Sequence, residues 1–406
     1  MPTIPTLAFD LGQAPISADE QRVLDQDIQS HGLDAAYWMA MNGLLTTGSR
    51  SDTPLALRAR RGGQLVGAAY VMECRRINQC LFPGTLGRAL DVVPMPSYYW
   101  TRGDAAVDLL GSPGFVAARE DREAFYREAI AYLNSRYASG SVVDERGGSA
   151  AAECYETVMM DWGRYDVAPG GTDALLARHG NLRRKVAKYR NKGGTIDLVQ
   201  GALEPGDLAR VLHCIAQSIG TAPMRAPFQE NYVNMVRWAC TSGARAIIHL
   251  LARLEGTVVG YHSYLKSGTR LQCLSGGFDR TRQSNYHAYE NILLETMRYA
   301  EAHGLRQVAF GPVSNPSKAA LMPRSVPFVI RFYSRHRALR RALSVIVPRS
   351  ALRPSVFAAL SAGGDSARSP HAEADLMNRP VTADVEARRF SEASPSHGRR
   401  FDNRNA

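Results

Sequence analysis

Hydrophobic and polar positions alternate along the chain with two different periods, and the changes of period mark out helices and strands. A period near 3.6 residues predicts helices over about 19–46, 119–137, 175–194, 204–220, 228–242 and 284–304. Short apolar runs predict strands over 155–162, 195–200 and 305–312. The alternation of the two kinds of element predicts a mixed α/β fold.

Glycine turns join further strand-like segments. Residues 55–73 predict a β-hairpin around a Gly-Gly pair, and residues 244–279 predict a three-strand meander with two glycine turns. After about residue 350 the periodicity stops, and Ser, Pro, Arg and Glu become frequent. We therefore expect a disordered tail over 351–406.

Two of these segments repeat one pattern at a separation near 190 residues. The sequences RRGGQLVG at 60–67 and RLEGTVVG at 253–260 each place an arginine before a tight turn and a Val-Gly pair after it. In both places further β structure and then a helix follow. A repeat of this length predicts two copies of one α/β domain.

The basic residues are concentrated in two stretches. The chain has 49 Lys and Arg against 38 Asp and Glu, a formal charge of +11. Residues 178–192 hold seven basic residues and residues 324–353 hold eight, with no acidic residue in either stretch. The rest of the chain is therefore mildly acidic. Such stretches suit phosphate-rich partners, namely CoA, a nucleotide, RNA or an anionic membrane, or they form solvated helix faces.

The N-terminal sequence and the cysteines bear on the compartment. The first 20 residues have neither the basic nor the apolar segment of a secretory signal, and no apolar run is long enough to predict a membrane span. The six cysteines are scattered, without a CxxC pair or a histidine cluster. We expect a cytoplasmic protein with reduced thiols and no metal site.

These patterns together resemble a known family. The segment at 253–260, the meander around it, the apolar helix at 284–304 and the strand at 305–312 resemble the core of a GNAT acyltransferase domain. The basic helix LRRKVAKYRNKGG at 182–194 is similar to the start of the second domain in tandem GNAT proteins. That group includes the Fem peptidyltransferases and the GNAT-like proteins of polysaccharide biosynthesis clusters.

The resemblance implies an α/β (α+β) fold of two tandem GNAT-like domains, each a twisted mixed sheet flanked by helices. We expect a divergent N-terminal domain over 1–170, a C-terminal acyltransferase domain over 171–350 and the tail over 351–406. The resemblance also implies an N-acyltransferase that moves an acyl group from acyl-CoA, or from an acyl carrier, to an amine acceptor. The acceptor would be a small molecule, a sugar or a peptide-like compound, and no tightly bound cofactor is expected.

The sequence departs from ordinary GNAT domains at the loop after the fourth strand. In that family a Q/R-x-x-G-x-G/A loop at a helix N-terminus holds the CoA pyrophosphate. Residues 276–285 read GGFDRTRQSN and do not match this pattern. The donor therefore stays open between acyl-CoA, an acyl carrier and an aminoacyl-tRNA, which is the donor of the Fem enzymes.

Three residues are candidates for the catalytic groups. Acyl transfer to an amine needs a base for the amine and an acid for the leaving group. Strand alternation places His262 and Tyr264 on one face of a strand that would lie under the acceptor, and His262 is a suitable base. A structural histidine is the alternative interpretation. Asp279, at the end of the next strand, is the carboxylate candidate.

Other residues are candidates for holding the donor. The resemblance implies that backbone amides of the fourth strand polarise the acyl carbonyl, and these positions are Leu274, Ser275, Gly276 and Gly277. Donor phosphates, or RNA, would be bound by basic side chains, namely Arg183, Arg184, Lys188 and Lys318. Lys318 follows a small residue after the last core strand, as in the tandem group, and a surface lysine is the alternative.

Two other functions remain open. The basic stretches also fit an aminoacyl-tRNA-dependent transferase of the Fem type. A non-catalytic GNAT-like protein could instead contact an anionic membrane through 324–353. In that case residues 328–347, where apolar residues alternate with arginines, would form an interfacial helix. A C-terminal helix packed on the domain is the alternative interpretation of the same residues.

Overall fold

The computed structural model describes residues 7–30, 52–74, 96–101, 115–118, 120–145, 152, 154–219, 226–281, 287–312, 321–322 and 324–346. The strands in these ranges are β1 (Ala8–Gly12), β2 (Asp52–Arg61), β3 (Gln64–Cys74), β4 (Ser97–Thr101), β5 (Phe115–Ala117), β6 (Ser139–Glu145), β7 (Cys154–Asp166), β8 (Thr195–Gln200), β9 (Ile247–Leu254), β10 (Thr257–Ser267), β11 (Arg270–Phe278), β12 (Gln307–Pro312) and β13 (Arg324–Ser334). The helices are α1 (Ala18–Ser30), α2 (Arg122–Arg136), α3 (Gly171–Arg178), α4 (Gly180–Asn191), α5 (Pro205–Ile219), α6 (Ala226–Thr241), α7 (Ala288–Ala302) and α8 (Arg337–Ile346).

The two repeated hairpins share a structural detail besides their sequence. In β2–β3 the turn glycines Gly62 and Gly63 have φ of 57° and 86°, and in β9–β10 the turn residues Glu255 and Gly256 have φ of 50° and 76°. Each hairpin also shifts register beside its turn, between Ala59/Arg60 in one and between Val258/Gly260 in the other. The left-handed turn followed by a β-bulge is therefore built twice.

Each half of the molecule has a mixed sheet. In the N-terminal half β4 and β6 are parallel, in the C-terminal half β11 and β12 are parallel, and the other pairs among the described strands are antiparallel. Helices pack on these sheets. The prediction of two mixed sheets flanked by helices is confirmed. The predicted tail over 351–406 lies outside the described residues.

The two halves exchange strands. The sheet order is β1-β2-β3-β4-β6-β13-β7-β12-β11-β10-β9-β8, with β5 beside β3. The last strand, β13, therefore pairs with β6 of the N-terminal half, and β7 pairs with β12 of the C-terminal half. A single boundary along the chain, such as the predicted one between 170 and 171, does not describe this pairing, and the domain bounds stay a prediction.

Three buried clusters of apolar side chains hold the layers together. One lies between β8–β12 and helices α3, α4 and α7, and another lies under α2 in the N-terminal half. The third cluster contains side chains from both halves. Leu24 and Tyr70 come from the N-terminal half. They share the cluster with Ile215 of α5, Val236 of α6 and Tyr261 of β10. Helices α5 and α6 thus contribute to a core that includes both halves.

The prediction of one helix over 328–347 is wrong for its first part. Residues up to Ser334 belong to β13, and only α8 is helical. β13 is paired on both edges, and residues 329–334 are all buried, including Arg331. A strand covered on both faces has no alternation of apolar and polar residues, so nothing in the sequence of this segment indicates a strand. The spacing of its arginines by itself suggests a helix. The predicted helix over 175–194 is likewise two helices, α3 and α4, separated at His179.

Candidate active site

Strands β11 and β12 separate soon after they pair. Their parallel pairing covers only Arg270 to Gln272 of β11, opposite Gln307 to Ala309 of β12. From Cys273 to Phe278 β11 has no partner on that side among the described strands, while β12 continues beside β7. The separation opens a gap between two neighbouring strands. At its far end the Phe278 N–H donates to Ser218 Oγ at 3.1 Å, and the backbone between Leu274 and Gly277 borders the gap, where a ligand or water can bind.

A β-bulge lies at the start of this gap. Ser263 of β10 pairs with Ser275 and Tyr264 pairs with Cys273, so Leu274 is the extra residue in β11. The bulge redirects the backbone where the strands part. Two glycines follow, and both are needed for close packing: a Cβ on Gly276 would lie 2.4 Å from the His262 ring, and a Cβ on Gly277 would lie 3.0 Å from the backbone of α5. The predicted donor segment is therefore a bulge followed by two sterically required glycines.

Ser275 has a buried hydroxyl without a partner. The residue is 2% exposed, and its Oγ has no hydrogen-bond partner among the residues that the structure describes. The paired Ser263 differs, because its Oγ lies 2.7 Å from Nδ1 of His249. Residues paired directly across antiparallel strands lie on the same face, so Ser275 lies on the face of Ser263, where α5 and α6 pack.

His262 and Tyr264 are brought together, as alternation on the strand predicts. Nδ1 of His262 lies 2.9 Å from the Tyr264 hydroxyl, and that hydroxyl lies 3.0 Å from Oγ1 of Thr296 on α7. Tyr264 is fully buried, and burial raises the pKa of its phenol well above the usual value. The phenol is therefore neutral and protonated across the physiological range, and it can relay hydrogen bonds between α7 and His262.

Aromatic side chains surround His262. Its ring centroid lies 5.7 Å from that of Phe278 and 5.6 Å from that of Tyr289, in edge-on geometry, and only 5% of the residue is exposed. These contacts hold the imidazole in one orientation on the α7 face of the sheet.

Asp279 lies on the other face, against α5. Arg210 Nη2 is 3.2 Å from Asp279 Oδ2, and His213 Nε2 is 3.8 Å away. Burial alone would raise the pKa of the Asp279 carboxyl, but hydrogen bonds from Thr281 and the ion pair with Arg210 outweigh burial and lower the pKa. Asp279 is thus held ionised, and the structure does not bring it to His262.

The basic residues of α4 are divided between the core and the solvent. Leu182, Val186 and Tyr189 form the buried face, and Tyr189 is 1% exposed, so its ring is not available for stacking on a base. Arg183, Arg184 and Lys188 are exposed and form no ion pair with any described residue. Lys318 lies outside the described residues.

The basic helix α4 reaches the N-terminus of α7. Lys185 Nζ is 2.8 Å from Glu290 Oε1 in the first turn of α7. Burial lowers the pKa of His287, which precedes that turn, and the charges of Lys185 and Lys188 lower it further against the opposite effect of Glu290. Positive charge from α4 therefore lies beside the N-terminus of α7, where the helix dipole also favours an anion.

Cysteine and metal chemistry receive no support from the described residues. Burial raises the pKa of Cys214 to about 11 and that of Cys240 to about 12, so neither is a thiolate at neutral pH. In the part of the chain that the structure describes, no three His, Cys, Asp or Glu residues cluster as metal ligands would.

Among the described helices, none is both long and apolar enough to cross a bilayer.

Sequence reasoning missed two polar residues of the site. Thr296 completes the chain to His262, but in the sequence it is one polar residue on an apolar stripe of α7. His213 approaches Asp279 from α5, 66 residues earlier in the chain, and it also lies 2.9 Å from the Gln217 side chain. Only the packing of α5 and α7 on opposite faces of β10–β11 could reveal either.

Comparisons with known proteins agree with this geometry. Residues 177–319 match the family model described as an acetyltransferase (GNAT) domain. The fold is similar to that of L-PGS from Bacillus licheniformis, with 10% sequence identity and a TM-score of 0.51 over 84% of this chain and 99% of that chain. No curated protein matches the sequence significantly.

Two further solved structures share the fold more loosely. FemX is 12% identical, with a TM-score of 0.48 over 80% of this chain and 98% of that chain. A tandem GNAT protein from the clavulanic acid biosynthesis pathway is 15% identical, with a TM-score of 0.42 over 80% of this chain and 98% of that chain. The resemblance to GNAT acyltransferases drawn from the sequence is confirmed for residues 177–319, which match the acetyltransferase (GNAT) domain model.

Proposed function

We propose that this protein is an N-acyltransferase that moves an acyl group from acyl-CoA, or from an acyl carrier, to an amine acceptor. The observation that carries the proposal is the separation of β11 from β12 after three pairs, with a bulge at Leu274, inside the segment that matches the GNAT family. A gap of this kind suits the narrow pantetheine arm that CoA and acyl carriers share. Acyl-CoA is a co-substrate here, and a CoA-dependent enzyme would act in the cytoplasm.

The proposed donor site runs along the free side of β11. Backbone N–H groups between Leu274 and Gly277 are suited to hold the acyl carbonyl oxygen, because a strand edge without a neighbour leaves such donors unpaired. The donor phosphates would lie toward the N-terminus of α7, where Lys188 supplies positive charge, and Arg183 and Arg184 are exposed on the same helix, α4. Lys318 is a further proposed phosphate ligand.

The predicted catalytic residues receive different roles in this proposal. His262 and Tyr264, joined by hydrogen bonds to α7, are suited to accept and relay the proton of the amine. Asp279, ionised and held by Arg210, suits an electrostatic role at the end of β11. The assignment of the base to His262 is the part most open to a direct test.

Thermal stability in the presence of candidate donors tests the function. We expect an acyl-CoA to raise the melting temperature, because a ligand that binds only the folded state stabilises it. Acetyl-CoA, longer acyl-CoAs, free CoA and an aminoacyl-tRNA should be compared at matched concentrations, followed by transfer assays with amine acceptors. Stabilisation by aminoacyl-tRNA alone would contradict the CoA-dependent function.

A second candidate function is aminoacyl transfer from a charged tRNA. The observation in its favour is the exposed positive face formed by Arg183, Arg184 and Lys188. Binding to RNA would weaken steeply with salt, because each phosphate contact releases a counterion. Transfer that proceeds in RNase-treated protein with acyl-CoA alone would exclude this candidate.

Contact with an anionic membrane is the third candidate, and α8 is the element proposed to make this contact. β13 is an internal strand, so the part of 324–353 that remains for a membrane begins near α8, where Arg335, Arg337 and Arg341 are exposed. Sedimentation with anionic and neutral vesicles tests it, with Arg337→Glu/Arg341→Glu as the variant. Equal sedimentation of wild type and variant would contradict a role of α8 in membrane contact.

A further inference from the structure

The Ser275 hydroxyl is buried, polar and without a partner among the described residues, and Ser275 belongs to the part of β11 that is not paired with β12. It is 2% exposed and follows the bulge residue Leu274, three positions after the last pair between the two strands. A buried hydroxyl without a hydrogen bond is unfavourable. A group of this kind beside an unpaired strand edge therefore suits a partner that is not part of the chain.

We propose that Ser275 is a catalytic residue that donates its hydroxyl proton in a hydrogen bond to the carbonyl oxygen of the bound acyl thioester. This inference rests on the proposed acyltransferase function and adds a side-chain donor to the backbone groups of β11. A carbonyl oxygen can accept two hydrogen bonds, so the serine and a backbone N–H can serve it together. The hydrogen bond becomes stronger as the oxygen gains negative charge.

Ser275 is chemically unchanged by the proposed acyl transfer. The amine nitrogen forms a bond to the carbonyl carbon, and the C=O π electrons move to the oxygen that Ser275 contacts. When the C=O bond forms again, the C–S bond breaks and the thiolate leaves. The proton lost by the amine ends on the thiolate, so the products are an amide and a free thiol. The serine O–H bond stays intact throughout.

The neighbouring Ser263 provides the matched control. It is the same residue type, it is fully buried, and it is paired with Ser275 across β10 and β11. Its hydroxyl is bound to His249 at 2.7 Å, whereas that of Ser275 is unpartnered. A substitution by alanine therefore removes a satisfied hydroxyl at one position and an unsatisfied hydroxyl at the other, with the same change of volume.

The experiment compares Ser275→Ala and Ser263→Ala in the full chain. For Ser275→Ala we expect an unchanged or higher melting temperature without ligand, and a kcat with acyl-CoA lower by about 10²-fold or more. For Ser263→Ala we expect a lower melting temperature and a kcat within a few-fold of wild type. Stability and activity thus move in opposite directions for Ser275 only.

The outcomes separate this inference from the proposed function. If the wild type turns over acyl-CoA and Ser275→Ala keeps its kcat, the role of Ser275 is wrong and the function stands. If Ser275→Ala lowers the melting temperature as much as Ser263→Ala does, the hydroxyl has a structural partner and the inference is overturned. If the wild type is neither stabilised nor active with any acyl thioester, both the function and the inference fall.

Discussion

At the scale of single residues, the hydroxyl protons of one hydrogen-bonded chain determine which nitrogen of His262 is basic. Thr296 Oγ1 lies 2.8 Å from the Ile292 carbonyl oxygen and 3.0 Å from the Tyr264 hydroxyl. Thr296 Oγ1 is the donor in both contacts, so its one proton is shared between the Ile292 carbonyl and the Tyr264 hydroxyl. The Tyr264 hydroxyl also contacts Nδ1 of His262, and this hydrogen bond fixes the tautomer of the neutral imidazole.

Tyr264→Phe tests whether this chain serves catalysis. Removal of the hydroxyl leaves Nδ1 of His262 without its 2.9 Å partner, so the neutral imidazole is no longer fixed in one tautomer. We expect kcat to fall by about 10-fold or more and the pH profile of kcat to shift. A purely structural role would lower the melting temperature without moving the pH profile, and pH-rate profiles of the two proteins distinguish these results.

His249 should make stability depend on pH. It is fully buried, and burial lowers its pKa from 6.5 to about 4. The unfolded chain takes up a proton near pH 6.5 while the folded protein stays neutral there, so stability is complete above pH 6.5 and falls as the pH drops toward 4. The loss over this window is about 3 kcal/mol. Urea unfolding between pH 8 and pH 4.5 measures it.

His249→Asn is the control for this dependence. The variant lacks the titrating group, so the decline of the unfolding free energy between pH 6.5 and pH 4.5 should largely disappear, even if the variant is less stable throughout. Asp279 does not interfere with the measurement, because its pKa in the folded protein is lowered from the usual value of 3.8, so its contribution is lost mainly at lower pH. An equally steep decline in the variant would contradict the assignment to His249.

At the scale of elements, helix α4 has one face that packs in the core and another that carries exposed basic residues. Its buried face consists of Leu182, Val186 and Tyr189, which are three or four residues apart. The Tyr189 hydroxyl lies 2.8 Å from the carbonyl oxygens of Thr195 and Arg253. Its other face carries the exposed basic residues. Charge reversal on the exposed face should therefore affect ligand binding and leave packing unchanged.

The variant Arg183→Glu/Arg184→Glu/Lys188→Glu tests the donor-binding role of α4. Because one charge-assisted hydrogen bond contributes about 1.5 kcal/mol or more, loss of such contacts should weaken acyl-CoA binding at least about tenfold. The melting temperature without ligand should stay close to that of wild type. Calorimetric titration with acyl-CoA at two salt concentrations measures the effect. Arg127→Glu, at an exposed arginine on α2, tests the effect of a reversed charge away from α4, and equal weakening in that variant would contradict a local effect.

Elements with a strong local signal were predicted well, and those decided by distant contacts were not. The apolar stripe of α7 and the glycine turn of β9–β10 are visible in the sequence because their residues are neighbours along the chain. The segment 328–334 was predicted as helix because nothing local shows that β6 and β7 pair with it. In the candidate site, the face shared by His262 and Tyr264 follows from alternation, whereas the position of Asp279 against α5 depends on tertiary packing.

At the scale of the whole molecule, the exchange of β7 and β13 makes each half depend on the other. Arg331 of β13 is 1% exposed and forms ion pairs with Asp144 of β6 and, at 2.9 Å, with Glu156 of β7. The apolar cluster that includes α5 and α6 also contains side chains of α1, β2 and β3. Both features join segments that are far apart in the chain, so we expect residues 1–346 to unfold in one cooperative transition.

Substitution of Arg331 tests this dependence between the halves. Arg331→Met leaves the buried carboxylate of Asp144 without its cation, and breaking one side of a buried ion pair costs about 3–5 kcal/mol. Because β13 lies between strands of both halves, the loss should lower a single unfolding transition and should weaken acyl-CoA binding at temperatures near that transition. Replacing both partners, as in Arg331→Met/Asp144→Leu, removes the unpaired charge and should recover much of the stability.

Urea unfolding followed by tryptophan fluorescence and by donor binding measures both halves. Two separate transitions, or donor binding that persists after the N-terminal half has unfolded, would show that the halves fold independently despite the shared strands.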